Sequence, residues 1–160
     1  MTIRLEVMSP AHLSAVLELW RSIEGVGLNE SDTFERLEAY LSRNPGLSRI
    51  ALAPAAVSDP PEKIVGAILC GHDGRRGYLH HLAVAPEFRR RGVGSTLVAQ
   101  CLAELARIGI IRCNLFVYAD NSAGQSFWLA GGWRPRSELC LLQRQTLPDP
   151  ADSTRLEPTC

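Results

Sequence analysis

The sequence predicts an α/β domain of the α+β kind, in which a mixed sheet is flanked by helices. Two observations carry this reading. Apolar residues alternate with polar ones in short runs, and three such runs between residues 48 and 84 follow one another closely enough to form hairpins. Beyond them the pattern becomes helix, strand, helix, strand, an order that needs crossover connections and therefore some parallel pairing.

Thr2 to Val7 alternates through Ile3, Leu5 and Val7 as a first strand, and Ser9-Pro10 then supplies a cap and a proline at the first helical position. Leu13, Val16, Leu17 and Trp20 recur at helical spacing, so a helix runs to about Ile23 before the stretch Gly25 to Glu30 breaks it. Ser31 is the expected cap of a second helix with the stripe Phe34, Leu37, Leu41, ended by Asn44-Pro45-Gly46. Strands follow at Ser48 to Ala53 and Lys63 to Cys70, joined by a Pro-rich loop from Pro54 to Glu62. Asp73-Gly74 turns the chain into a strand from Gly77 to Val84.

Val93, Leu97, Val98, Cys101, Leu102 and Leu105 mark the strongest amphipathic helix, Val93 to Ile108, closed by Gly109. Arg112 to Tyr118 reads as a strand. Asn121 caps a short helix through Leu129, Gly131-Gly132 stops it, and a last strand is expected near Glu138 to Arg144. Residues 1–146 then form the domain. The segment 147–160, with Pro148, Pro150 and Pro158, is expected to be a disordered tail.

Composition narrows the function classes. The 160 residues suit one core, and 46% apolar with 21% charged residues is the composition of a folded globular chain. Seventeen basic and seventeen acidic side chains cancel, so no overall field favours nucleic acid or a membrane surface, and an anion site has to be local. Neither a signal peptide nor a run long enough to span a bilayer is present, which makes a cytoplasmic address the expectation. Five scattered cysteines without CxxC spacing argue against disulfides and against a metal site, and suit small core residues. His12, His72 and Glu87 read as surface groups.

The chemistry concentrates after the strand ending at Val84. Arg89-Arg90-Arg91-Gly92-Val93-Gly94, followed by Ser95, opens directly into the strongest helix. Free N–H groups and the positive end of the dipole make a helix start an anion site, and glycines let a phosphate approach the backbone. Arginines add charge and Ser95 a hydroxyl donor. A GxG before a helix is also compatible with plain close packing, so the context matters.

That context is Asn121-Ser122-Ala123-Gly124-Gln125-Ser126-Phe127-Trp128, then Gly132-Trp133. Together the two segments resemble the GNAT (Gcn5-related N-acetyltransferase) superfamily, whose cofactor signature is matched by Arg89, Gly92 and Gly94. The later signature is matched by Asn121, Phe127 and Gly132-Trp133, with Gly124 and Trp128 departing from the usual Ala and Tyr. The resemblance implies a single GNAT-like domain whose mixed, mostly antiparallel sheet has splayed strands holding acetyl-CoA as co-substrate. Backbone groups across Leu82, Ala83 and Val84 would bind the pantetheine arm. Arg89 to Ser95 would hold the pyrophosphate, and Asn121, Phe127 and Trp128 would border the thioester. The implied acceptor is a primary amine of a small molecule or peptide; the resemblance implies no metal, and a homodimer stays open.

Acetyl transfer to an amine needs a base for the ammonium and a proton for the thiolate. Trp128, at the usual tyrosine position, cannot be that acid, because its indole only donates a hydrogen bond. The position of a glutamate base in members acetylating peptide N-termini is Phe116. His80 is the best remaining base, since imidazole titrates near neutrality, with Tyr78 beside it as the counterpart of a histidine pair in arylalkylamine acetyltransferases. Tyr118 is a weaker candidate. Strict alternation puts Tyr78, His80, Leu82 and Val84 on one face, and Leu79, His81 and Ala83 on the other, so only one histidine would face the site. Glu24, Asn29, Glu30 and Asp32 would either attract the amine or form a solvated acidic loop. The competing function is a non-catalytic acyl-CoA-binding regulatory module.

Overall fold

The computed structural model describes residues 2–55 and 62–147. In chain order these form β1 (Arg4–Val7), α1 (Leu13–Ser22), α2 (Phe34–Arg43), β2 (Arg49–Pro54), β3 (Glu62–His72), β4 (Arg76–Val84), α3 (Val93–Arg107), β5 (Arg112–Leu115) and α4 (Ser122–Ala130). Single 3-10 turns precede α1 and α3. One sheet of order β1-β2-β3-β4-β5 runs through the molecule. Its first three pairings are antiparallel and β4–β5 is parallel; the single helix α3 makes the crossover that a parallel pair requires.

Helices cover both faces. Gly66 and Gly71 of β3, an odd number of residues apart, point to opposite sides. A Cβ on Gly66 would lie 3.1 Å from Leu97 of α3, and one on Gly71 would lie 2.4 Å from the Tyr40 hydroxyl of α2. Both glycines therefore admit a helix close to the strand. Leu13, Trp20, Ile50, Ile68 and Leu97 are fully buried in this core, each contributing roughly 1.5–3 kcal/mol by removal from water. Arg49 is buried as well: its Nε donates to Gln100 Oε1 at 3.2 Å and its guanidinium lies 3.6 Å from Glu104, which ties β2 to α3 without leaving the charge unpaired.

Several expectations are corrected. Thr33, not Ser31, caps α2, accepting from Arg36 N at 3.3 Å; Ser31 instead donates its N–H to Asn29 Oδ1 in the turn before. β5 stops at Leu115 rather than Tyr118, and Phe116 and Tyr118 are left exposed. The strand expected at Glu138 to Arg144 does not form. Leu141 and Leu142 are adjacent, which breaks the alternation, and both stay exposed beside a β5 of only four residues. Cys70 and Cys101 are core residues as expected, whereas Cys140 is exposed. His12, His72 and Glu87 each have a local partner: Ser9 N, Gly74 N and Lys63. The Pro-rich loop, most of the tail and Cys160 lie outside the described residues.

Candidate active site

The site begins with an irregularity in β4. Its register against β3 passes from Ala67↔Ala83 to Leu69↔His80, so His81 and Leu82 together oppose Ile68 alone. This is a β-bulge, and His81 takes φ 53°, the left-handed region that a residue with a Cβ rarely enters. The bulge resets the alternation. Gly77 faces α3, since a Cβ there would meet Leu105 at 2.6 Å; Val84, of opposite parity, also faces α3, with its Cγ2 3.7 Å from a Cβ placed on Gly94. The expected grouping of Tyr78, His80, Leu82 and Val84 on one face is therefore wrong, and both histidines turn to the α1–α2 side.

Beside the bulge the sheet opens. β4 pairs with β5 from Arg76↔Arg112 to Leu79↔Leu115 and then continues to Val84 with no β5 partner. The splay leaves a cleft of about 690 Å³, lined by His80, His81 and Leu82 from β4, by Phe116 and Tyr118 from the segment after β5, and by Trp128 from α4. Tyr78 is not on its wall; it stacks on His80, ring centroids 6.3 Å apart.

His80 packs among Tyr40, Tyr78 and Phe116. Burial pushes its pKa below the ordinary 6.5, a charge on neighbouring His81 adds to that, and Asp32 opposes it. The ring is thus neutral near pH 7. His81 has a different setting. Its Nε2 is hydrogen bonded to Asp32 Oδ1 at 2.7 Å, and its ring packs on Trp20 at 5.1 Å. Asp32 Oδ2 accepts from Asn29 N at 2.9 Å, so the carboxylate is fixed by its own loop. Of the acidic segment expected to meet an amine, Asn29 and Asp32 line the cleft while Glu24 and Glu30 do not, and Asp32 is engaged by His81.

The arginine turn lies at the start of α3. Arg90 and Gly92 both have positive φ, 61° and 78°, and Gly92 is the N-cap without any side-chain cap bond. No acidic residue occupies the first turn. Among the described residues no side chain accepts from the leading N–H groups, which fits a phosphate ligand. Nothing lies within 4 Å of a Cβ on Gly92, so that glycine is required by its backbone angle rather than by space. Arg89, Arg90, Arg91 and Ser95 are exposed. Arg91 sits over Phe88 at 5.5 Å, and Arg89 Nε donates to Val84 O at 3.0 Å. That bond gives the Val84 carbonyl a partner within the protein. The side chains of Val93 and Ala83 are buried, so these residues can meet a ligand only through backbone groups.

The two sequence motifs meet physically. A Cβ on Gly94 would be 3.4 Å from Phe127 Cζ, so α4 packs against the start of α3. Asn121 caps α4 by accepting from Gly124 N at 2.9 Å. Its Nδ2 would be 2.5 Å from a Cβ at position 124, which explains glycine where alanine is usual. Phe127 and Trp128 pack edge to face, and only Trp128 reaches the cleft. Gly27, passed over in the sequence, admits the Tyr118 ring: a Cβ there would overlap the hydroxyl. The only sequence signal for that contact is a glycine in a loop.

Residues 13–132 match the model of the Acetyltransferase (GNAT) family. The chain belongs to that family. It is 28% identical over 113 residues to an acetyltransferase of Sodalis glossinidius, covering 71% of this chain and 75% of the relative. To an acetyltransferase of Pectobacterium atrosepticum it is 30% identical over 109 residues, 68% of this chain and 72% of the relative. Among solved structures it resembles the PaiA N-acetyltransferase from Thermoplasma acidophilum in complex with coenzyme A. That likeness has a TM-score of 0.66, 22% identity, and coverage of 81% of this chain and 88% of the other. The parallel β4–β5 pair, opening into a cleft beside the helix start, is thus a GNAT sheet. Among the described residues no helix is long and apolar enough to cross a membrane.

Proposed function

We propose that this GNAT chain is an acetyl-CoA-dependent N-acetyltransferase acting on a primary amine of a small molecule or peptide by direct attack on the thioester. The observation that carries it is the juxtaposition of an uncapped, arginine-flanked helix start with a cleft whose wall holds a neutral imidazole. Coenzyme A bound to a structural relative named as an N-acetyltransferase supports the same reading.

Arg89 to Ser95 would hold the pyrophosphate through the first N–H groups of α3 and the guanidinium charge. Backbone groups at Leu82, Ala83 and Val84 would carry the pantetheine arm, with Arg89 exchanging its bond to the Val84 carbonyl for one to phosphate. Phe127 closes the turn, and Asn121 and Trp128 border the reacting end. When bound, acetyl-CoA supplies a thioester carbonyl as electrophile. His80 takes a proton from the acceptor ammonium, for which a ring held neutral is already in the right form. Tyr78 stacks behind it and orients the ring. Trp128 leaves proton donation to a phenol. Tyr40 is half-buried with its hydroxyl enclosed, and burial pushes its ionisation upward, so the exposed Tyr118 suits that task better.

The test is release of free thiol from acetyl-CoA against a panel of small amines, polyamines, amino acids and peptides. Turnover with one class establishes both activity and direction. Saturable coenzyme A binding without thiol release from any amine would instead identify the non-catalytic module.

A further inference from the structure

The acyltransfer reading needs one base, yet the bulge brings a second histidine to the same wall. A regular β4 would have put His81 on the α3 face, behind the sheet. Instead His81 is held at φ 53°, an angle costly for a residue with a Cβ, and it is held there by a carboxylate and an indole. Asp32 reaches it across 49 residues of sequence, and the two side chains are 17% and 9% exposed. A carboxylate so placed compensates a positive charge on the ring. His81 Nδ1 has no hydrogen-bond partner among the described residues, and the ring lines the cleft. The centroids of His80 and His81 are 6.3 Å apart, close enough for proton exchange through a single intervening water.

We propose that His81, positioned by Asp32, receives the proton that His80 takes from the acceptor amine, so that the two adjacent histidines form a relay out of the cleft. The proposal rests on the acyltransfer reading. In the step, the N–H bond of the ammonium breaks and its electron pair stays on nitrogen. The proton moves to His80, then to His81, and from there to solvent. His80 is a ready acceptor and a poor holder of the proton; His81, on the same wall and held in place by Asp32, is the next ring on the way out. Among the described residues, the charged and titratable groups facing this pair are Asp32 from the α1–α2 loop, Arg36 and Tyr40 from α2, Tyr78 from β4 itself, and Tyr118 from beyond β5. Trp20 of α1 contributes only packing.

Asparagine tolerates the left-handed region, so His81→Asn keeps the bulge while removing the ring. It is expected to lower kcat at least about tenfold, less than the roughly 100-fold or more of a group that takes the proton directly, with the Kd for coenzyme A unchanged. Added imidazole should restore part of the loss in His81→Asn but none in wild type. Asp32→Asn should lower kcat in the same direction, and Asp32→Glu should recover some of it. Histidine NMR titration gives a readout independent of turnover: His80 should titrate higher in His81→Asn and lower in Asp32→Asn, opposite shifts from the same wall.

Wild-type kcat in His81→Asn, or a loss that imidazole does not relieve and that tracks a fall in Tm, overturns the relay. If wild type releases thiol and His80→Gln does not, while His81→Asn matches wild type, only the relay fails. If wild type releases no thiol with any amine, the acyltransfer reading fails and the relay falls with it.

Discussion

The start of α3 and the β4–β5 cleft lie within one site but are built in opposite ways. The first is assembled from neighbours in sequence: Arg89 to Ser95 fold back on themselves, and two positive φ angles present the backbone of one turn. The second is assembled from strangers. Asp32, His81, Phe116, Tyr118 and Trp128 come from four separate segments, and their meeting depends on where one strand leaves another and where a single residue is added to a ladder. A local device can bind a ligand wherever it is transplanted. The cleft exists only in the finished sheet, so its chemistry should respond to changes that leave the arginine turn untouched.

That contrast is broken most sharply at His80. Substitution by glutamine should reduce kcat about 100-fold or more and remove the inflection near neutral pH, while coenzyme A binds as before; an unchanged pH–rate curve would remove His80 from the mechanism. Gly92→Val should do the reverse. Forcing a Cβ into φ 78° costs roughly 1–2 kcal/mol, so calorimetry should show the Kd for coenzyme A rising about tenfold, with kcat at saturation close to wild type. Loss of both quantities together would mean that the two regions are not separable.

Gly27→Ala reaches the cleft from its outer wall. A Cβ there overlaps the Tyr118 hydroxyl, so the ring must move, and the acceptor KM should change by about three- to tenfold, the size of a contact worth around 1 kcal/mol, with no effect on coenzyme A. The smallest effect concerns stability. Because burial holds His80 below 6.5 in the folded chain, the unfolded chain binds the extra proton first as pH falls. The contribution of the buried neutral ring is complete above 6.5 and declines below it, toward the folded value. Melting curves from pH 7.5 to 5 should therefore show a drop in Tm that is shallower in His80→Gln.

How much of this was readable follows the same divide. The turn, the helix after it and the Asn121 cap depend on residues within a few positions of one another, and each was legible as such. Thr33 replaced Ser31 as a cap because two suitable hydroxyls lay two residues apart and the choice was made by tertiary packing. The bulge was not legible: nothing in Leu79-His80-His81-Leu82 marks an extra residue, and a period of two is the natural assumption. Asp32 looked like one of several loop acids, and only the partner strand singles it out. Leu139, Leu141 and Leu142 misled in the other direction, since apolar residues signal a strand only where an edge receives them.

The bulge also makes β4 a place where length rather than identity encodes function. Suppose one residue were removed between Leu79 and Ala83, with every other side chain kept. If that residue were a histidine, the other would stand alone on the cleft wall and Asp32 would lose its claim on a second ring, while Val84 would keep facing α3, because removing the extra residue restores the regular alternation. Substitution scans would not detect that dependence. A deletion scan along this strand would, and it should find the sharpest intolerance at a point where the chain looks most ordinary.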